Sequence, residues 1–398
     1  MRALPLVDMP SPAVPANRMT TRTYVRNGVR VEAGEGESAG ASKKKGKKEY
    51  DFTARKEGVE ARCRVIVGDC RDTLAELPEA KRSELDLVFA DPPFNWNRAY
   101  DKWDDALAED DYVAFTFDWL DLCIKGLRPG GALWVNIPDD WAAEIVCFLK
   151  GRMSRKPAAA MEMQNWCVWH YRFGQNAVER FINSKVHALY FTKPEEPAAE
   201  RRGTQTAPAA ERRGTQTAPA AERRGTQTAP AAEHRGTHTE PGAERRGTRT
   251  WNPKAIAEMS DRAAIYGDKR TLSKKDGMPA KMRVPMDVWY GQFWGRVQGN
   301  NTERRHYHDN QLPEVYLERV VRACSNPEDL VLDPFLGSGT TGVMAHALGR
   351  NFIGCEFSAE NAKHAVERIQ AGPVRLGAGI GGSSAIFEKR RELSEPNP

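Results

Sequence analysis

Asp91-Pro-Pro-Phe94 brings a carboxylate, two rigid backbone units and an aromatic ring together within four residues. A carboxylate and a backbone carbonyl that accept the two N–H protons of an aromatic amine draw its nitrogen toward tetrahedral geometry. The lone pair, otherwise delocalised into the ring, is then localised and nucleophilic. Prolines fix the backbone so that the oxygens converge, and the aromatic side chain offers a face on which an extruded base stacks. Taken alone, the tetrapeptide is equally a turn after a strand. A second set is Asp333-Pro-Phe-Leu-Gly-Ser-Gly-Thr-Thr341, in which glycines let a ligand approach the backbone. Free N–H groups at the start of a following helix would face that ligand. Glu356 lies 19 residues after Gly337, about the spacing at which an acidic residue reaches a ribose.

These residues need elements to hold them. Leu85-Asp-Leu-Val-Phe-Ala-Asp91 reads as a buried strand running into the first motif, and Val331-Leu-Asp333 as a strand entering the glycine turn. Thr340–Leu348 reads as a helix and Asn351–Phe357 as the strand that delivers Glu356. Gly337, Gly339 and Gly342 also fit the GxGxxG pattern of dinucleotide enzymes, which keeps a nicotinamide oxidoreductase open at this point. Only 42 residues follow Glu356, too few to finish a doubly wound sheet, so the remaining strands are expected upstream. The upstream segments supply them: strands at 62–69, 132–137, 168–173 and 187–192, and helices at 72–77, 106–126 and 140–150. Arg128-Pro-Gly-Gly131 reads as a turn. The fold class expected is α/β, a Rossmann-like sheet that is circularly permuted.

Residues 1–58 are rich in Pro, Gly, Ser, Lys and Glu and read as a disordered basic tail that includes Lys43-Lys-Lys-Gly-Lys-Lys48. Segment 194–250 carries an 11-residue repeat, Glu200-Arg-Arg-Gly-Thr-Gln-Thr-Ala-Pro-Ala-Ala210. It recurs from Glu211 and Glu222, altered from Glu233 and partial from Glu244. Its Gly, Pro and small residues support neither helix nor core, so it reads as tandem expansion in a tolerant loop. Segment 251–306 is basic and aromatic, with Lys254, Arg262, Lys269, Arg270, Lys274, Lys275, Lys281 and Arg283 beside Tyr266, Trp289, Tyr290, Phe293 and Trp294. Cations that neutralise phosphate and rings that stack fit nucleic acid. An amphipathic helix is expected at 313–325, and residues 372–398 read as a flexible tail. Net charge is +5. The seven cysteines contain no CxxC pair, which fits buried thiols in a reducing, cytoplasmic compartment. No apolar run is long enough to span a membrane, and no signal-peptide core opens the chain. His306 and His308 lack a third ligand at metal spacing, so no metal is expected.

Together the two motifs, in this order, resemble the beta group of amino-methylating DNA methyltransferases, the N6-adenine/N4-cytosine type. The resemblance covers roughly 62–193 and 251–370. It implies a Rossmann-like S-adenosylmethionine-dependent methyltransferase sheet, circularly permuted, with a small target-recognition insert. The catalytic part would span 59–193, the recognition region 251–306 and the cofactor-binding part 307–371. By resemblance Asp91 and the carbonyl of Pro92 hold the amine, with Pro93 shaping the turn and Phe94 stacking on the base. Phe94 replaces the family's usual Tyr. Asp333, Pro334, Phe335, Gly337, Ser338, Gly339, Thr340 and Thr341 would form the S-adenosylmethionine loop, with Glu356 on the ribose and Asp69 and Cys70 near the adenine. His308-Asp-Asn-Gln-Leu-Pro313 departs from the family's HPxQKP and keeps His308, Gln311 and Pro313; His308 and Gln311 would face the cofactor. Aspartate at the first motif position points to adenine N6, with cytosine N4 as the alternative. The resemblance also implies a double-stranded DNA partner and allows a partner restriction endonuclease. RNA methylation and an inactive DNA-binding module stay open, and so does the oligomeric state.

Overall fold

The central strands carry apolar residues on both faces. In β3 (Leu85–Ala90) Leu87 and Phe89 point into one core, while Val88 and Ala90 point into the other. Val331 and Leu332 divide the same way, the pattern of strands covered on both sides. The computed structural model describes residues 48–56, 59–98, 103–171, 178–179, 181–195, 248–272, 277–291, 293–308 and 310–379. The expectations for the tail up to residue 47, for the repeats, for Lys274 and Lys275 and for the chain from 380 onward lie outside these residues. So do Arg172 and Phe173 of one expected strand.

In chain order the elements are β1 (Glu49–Lys56), β2 (Val59–Val67), α1 (Cys70–Glu76), α2 (Pro78–Lys81), β3, α3 (Glu109–Gly126), β4 (Leu127–Ile137), α4 (Asp139–Leu149), β5 (Glu162–His170) and β6 (Lys185–Thr192). Then come β7 (Glu258–Met259), α5 (Asp261–Tyr266), β8 (Met282–Arg283), β9 (Val288–Trp289), α6 (Glu314–Cys324), β10 (Leu330–Asp333), α7 (Thr340–Ala347), β11 (Asn351–Glu356) and α8 (Ala359–Ala371). One sheet runs β1-β2-β11-β10-β3-β4-β6-β5-β9, and β7 pairs with β8 alone. The run β2, β11, β10, β3, β4 is parallel throughout. β10 and β3 are neighbours, with Val331 opposite Leu87 and Leu332 opposite Val88. From that pair the chain proceeds in opposite directions, β10 to β11 on one side and β3 to β4 on the other. Open α/β sheets form their crevice at such a switch point, beyond the carboxyl ends of the strands.

One core layer holds Val315, Leu317, Val343 and Val366 from α6, α7 and α8. The other holds Leu74, Trp119, Leu120 and Ile145 from α1, α3 and α4. All seven cysteines are free and six are buried. No described helix is long and apolar enough to cross a membrane.

Five expectations are corrected. The tail expected over 1–58 ends earlier, because Glu49–Lys56 pairs with β2, and Tyr50 and Phe52 pack against the core. Their alternation is short and surrounded by lysines, which hid it. Arg128-Pro-Gly-Gly131 is part of β4, held by Arg128 donating to Asp86 at 2.6 Å. The strand expected at 168–173 begins at Glu162 and ends at His170. Trp289 and Trp294, expected as stacking groups for nucleic acid, are 5% exposed and pack on Tyr316; β9 joins the main sheet beside β5. The tail from Gly372 is tied at its start: Val374 and Arg375 donate backbone N–H groups to Glu314, and Gly377 donates to Glu318.

The residues that flank segment 196–247 are held together. The Arg249 N–H donates to Glu195 Oε1 at 2.9 Å, and Arg128 Nη1 donates to the Thr248 carbonyl at 2.9 Å. They meet at the start of β4 (Leu127–Ile137), roughly 30 Å along the strand from its carboxyl end at about 3.3 Å per residue. Replacing 196–247 by a short Gly-Ser turn should therefore not lower the thermal unfolding midpoint and should raise it modestly, since each halving of a loop recovers about 0.6 kcal/mol of closure entropy. A marked drop would show that the segment packs on the fold.

Candidate active site

Asp91 leaves the end of β3 and Asp333 ends β10, so the switch point places both carboxyls at the floor of one cleft. Asp69, Cys70, Pro92, Pro93, Phe94, His308, Gln311, Pro334, Phe335, Gly337, Ser338, Thr340, Thr341 and Glu356 line the same cleft. Gly339 does not line it. That glycine sits behind the loop at φ +83°, where an added Cβ would lie 3.0 Å from Ala365 Cβ on α8.

The turn after β3 is braced from outside. Tyr112 Oη donates to the Pro93 carbonyl at 2.6 Å, and Trp141 Nε1 donates to the Phe94 carbonyl at 2.9 Å. No described residue donates to the Pro92 carbonyl. Asp105, 2% exposed, accepts the N–H groups of Asn95, Trp96 and Arg98, which fixes the loop that carries Trp96 and Arg98 to the rim. The Phe94 and Trp96 rings meet edge-on at 5.2 Å.

The loop after β10 turns at Gly337, φ +49°, where a Cβ would come 2.9 Å from His308 Nε2. Such backbone favours glycine. The Gly337 N–H donates to Glu356 Oε2, and the Ser358 N–H to Glu356 Oε1, both at 2.9 Å. Arg368 Nη1 supports the loop from beneath, donating to the Ser338 carbonyl at 3.0 Å and to Thr340 Oγ1 at 2.8 Å. Arg368 is itself paired with Glu314 at 3.2 Å, and both side chains are at most 1% exposed. Gln311 contributes to architecture: its amide accepts from the Arg305 N–H at 2.9 Å and donates to the Glu303 carbonyl at 2.7 Å. Asp69 caps α1 and pairs with Arg71 at 2.7 Å.

Three carboxyls make the floor acidic. Burial pushes Asp91 up to about 7, opposed by a hydrogen bond from Asn136 and reinforced by the charge of Asp333. Burial likewise pushes Asp333 up to about 7, against hydrogen bonds from Thr341 and the Phe335 N–H. Glu356 is raised by burial, against the N–H groups of Ser358 and Gly337. Asp69 differs, because burial is outweighed by the Arg71 hydrogen bonds, which hold it below the usual carboxylate range. A floor of costly anions fits a cationic or polyhydroxylated ligand.

Four of the lining residues that sequence reading missed bear on the chemistry. Asn136 donates to Asp91 Oδ1 at 2.7 Å; a polar residue inside the apolar run of β4 was its signal. Arg296 lies with its guanidinium 5.1 Å from the Tyr171 ring centroid, and its charge acts on Asp91; it stands in a stretch without periodicity. Phe357, 43% exposed, and Asn361 complete the rim beside Glu356. An aromatic directly after the acid was the available signal.

A parallel-sheet crevice with a glycine-cornered loop, a strand-end acid and an aromatic-flanked carboxylate is the arrangement of an α/β protein whose ligand cleft lies at the topological switch point. Comparison makes the class specific. The family model described as DNA methylase, N6_N4_Mtase, matches residues 85–367, and the chain belongs to that family. It is 26% identical over 295 residues to the type II methyltransferase M1.MboII of Moraxella bovis, covering 73% of this chain and 90% of the relative. It is 26% identical over 342 residues to the DNA adenine methyltransferase YhdJ of Escherichia coli strain K12, covering 82% and 92%. Among solved structures it is similar to the PvuII DNA methyltransferase (cytosine-N4-specific), with a TM-score of 0.45, 14% identity and coverage of 83% of this chain and 90% of that one.

Proposed function

We propose that this chain methylates the exocyclic amine of a base flipped out of double-stranded DNA, adenine N6 in preference to cytosine N4, using S-adenosylmethionine. The observation that carries the reading is the meeting of Asp91 and the Asp333–Thr341 loop at one switch point in a chain of the DNA methylase family. Bound in the cleft, S-adenosylmethionine supplies a methyl group already activated on a sulfonium. In this reading the three carboxyls offer that cation a negative surround, Glu356 takes the ribose hydroxyls, and Phe357 offers a face to the adenine.

The chain's own work is on the amine. Asp91 and the Pro92 carbonyl accept its two N–H groups, Phe94 stacks on the extruded base, and the nitrogen attacks in line. As the new N–C bond forms, the amine gives up a proton toward the Asp91 carboxylate. Asp91 must be ionised to accept it, so methyl transfer is expected to fall as pH drops below about 7. A rate that stays flat from about pH 8 down to pH 5 would contradict that role.

Aspartate at position 91 supports adenine, and so does the adenine methyltransferase among the relatives. In the same reading residues 59–193 form the catalytic part, 251–306 the recognition region and 307–371 the cofactor part of a permuted, beta-group enzyme. A partner restriction endonuclease belongs to it too, supported by a type II relative. Thermal unfolding tests the cofactor: S-adenosylmethionine should raise the midpoint and NAD should not, because only a ligand of the native state stabilises it. Stabilisation by NAD alone would overturn the reading in favour of an oxidoreductase.

A further inference from the structure

The geometry points to Asn136, locked from behind by Tyr316, as the positioning residue that holds Asp91 ready to accept the amine proton. The inference rests on the proposed role of Asp91 and adds two residues to it. Asn136 stands one residue before the end of β4 and is 1% exposed. A side-chain amide in an apolar strand is unfavourable unless both its ends are bonded. Here both are. Asn136 Nδ2 donates to Asp91 Oδ1 at 2.7 Å, and Asn136 Oδ1 accepts from Tyr316 Oη at 3.1 Å.

Tyr316 is fixed in turn. It lies on α6, is fully buried, and its ring meets those of Phe89, Trp169, Trp289 and Trp294 at centroid distances of 5.7, 5.7, 5.2 and 6.4 Å. Burial raises its phenol well above the ordinary range, so the hydroxyl stays protonated and donates. With the Asn136 oxygen held by that hydroxyl, the amide cannot flip, and its N–H stays aimed at the carboxylate. Flipping would also set an amide oxygen against an anion. Asp91 Oδ1 is thereby pinned, while no described residue donates to Oδ2, which is left for the substrate amine.

The charged form of Asp91 depends on this donor. Asp333 on β10 opposes ionisation and Arg296 favours it. Tyr316 on α6 meets Asp91 as a neutral phenol. Tyr171 and Arg98 face Arg296, which Asp91 also reaches by its charge. Neutral hydrogen-bond donation by Asn136 is the contribution that also fixes orientation, so its loss should change the pH at which Asp91 becomes competent. A residue that merely fills space would not do this.

The test is the pH dependence of single-turnover methyl transfer by the full chain at saturating DNA and S-adenosylmethionine. It compares the natural protein with Asn136→Ala, Tyr316→Phe and the double variant. In Asn136→Ala the acid limb should move up by about one pH unit, with about tenfold loss on the limb and a smaller loss on the alkaline plateau. Tyr316→Phe should move it the same way by less. The double variant should match Asn136→Ala, because the tyrosine acts only through the amide. Affinity for S-adenosylmethionine should be unchanged. Equal loss at every pH, fully additive effects, or no loss would overturn the inference. Tyr316→Phe removes one oxygen and keeps the ring, so it decides the matter even where Asn136→Ala folds poorly. Methyl transfer by Asp91→Ala would instead overturn the role of Asp91 itself, a failure visible independently of Asn136.

Discussion

Asp91→Asn is expected to lower methyl transfer by at least about a thousandfold while making the ligand-free protein more stable. Both effects have the same origin. The Asp91 carboxyl sits at about 7 in the fold against an ordinary 3.8. A carboxyl raised in this way contributes its stability at low pH and loses it as pH rises through about 7. Above neutrality the folded protein therefore holds an anion it disfavours. Three units correspond to roughly 4 kcal/mol in a dry site; Asp91 opens on the cleft, where water screens part of it, so about 2 kcal/mol is expected. Asparagine keeps the shape and removes the charge, and the gain should be larger at pH 8 than at pH 5. Denaturant unfolding at the two pH values measures it. A less stable Asp91→Asn protein at pH 8 would mean that the carboxylate is a structural asset, contrary to the site described here.

The second large effect lies beneath the cofactor loop. Arg368→Met should destabilise the fold by about 3 kcal/mol, because it leaves Glu314 as an uncompensated buried charge. Glu314 would keep the N–H groups of Val374 and Arg375 but lose its cation. The double variant Glu314→Gln/Arg368→Met should recover much of that stability. It should still bind S-adenosylmethionine at least about tenfold more weakly, since the Ser338 carbonyl and Thr340 Oγ1 lose their donor and the loop is no longer preorganised. Titration calorimetry separates the two quantities. Normal affinity in a destabilised double variant would show that Arg368 serves the core and leaves the loop indifferent.

What the sequence made legible was local. Asp91-Pro-Pro-Phe94 and Asp333–Thr341 are contiguous, their strands are unbroken apolar runs, and the order of the motifs was enough to require the upstream strands. The supporting residues were not local. Asn136 lies 45 positions from Asp91, Tyr316 lies 180 from Asn136, and Arg368 lies 54 from Glu314. Only the sheet order makes them neighbours. Composition misled in 251–306, where tryptophans beside lysines suggested stacking on bases. Trp289 and Trp294 instead pack around Tyr316, and Arg319 lies 4.4 Å from the Trp294 ring centroid.

The most direct measurement is to incubate the protein with mixed-sequence double-stranded DNA and isotopically labelled S-adenosylmethionine, digest to nucleosides and weigh the products, with Asp91→Ala run in parallel. The account predicts labelled N6-methyladenine from the natural protein and none from the variant. Labelled N4-methylcytosine would correct the base and leave the mechanism standing. Equal labelling by Asp91→Ala would contradict the central claim.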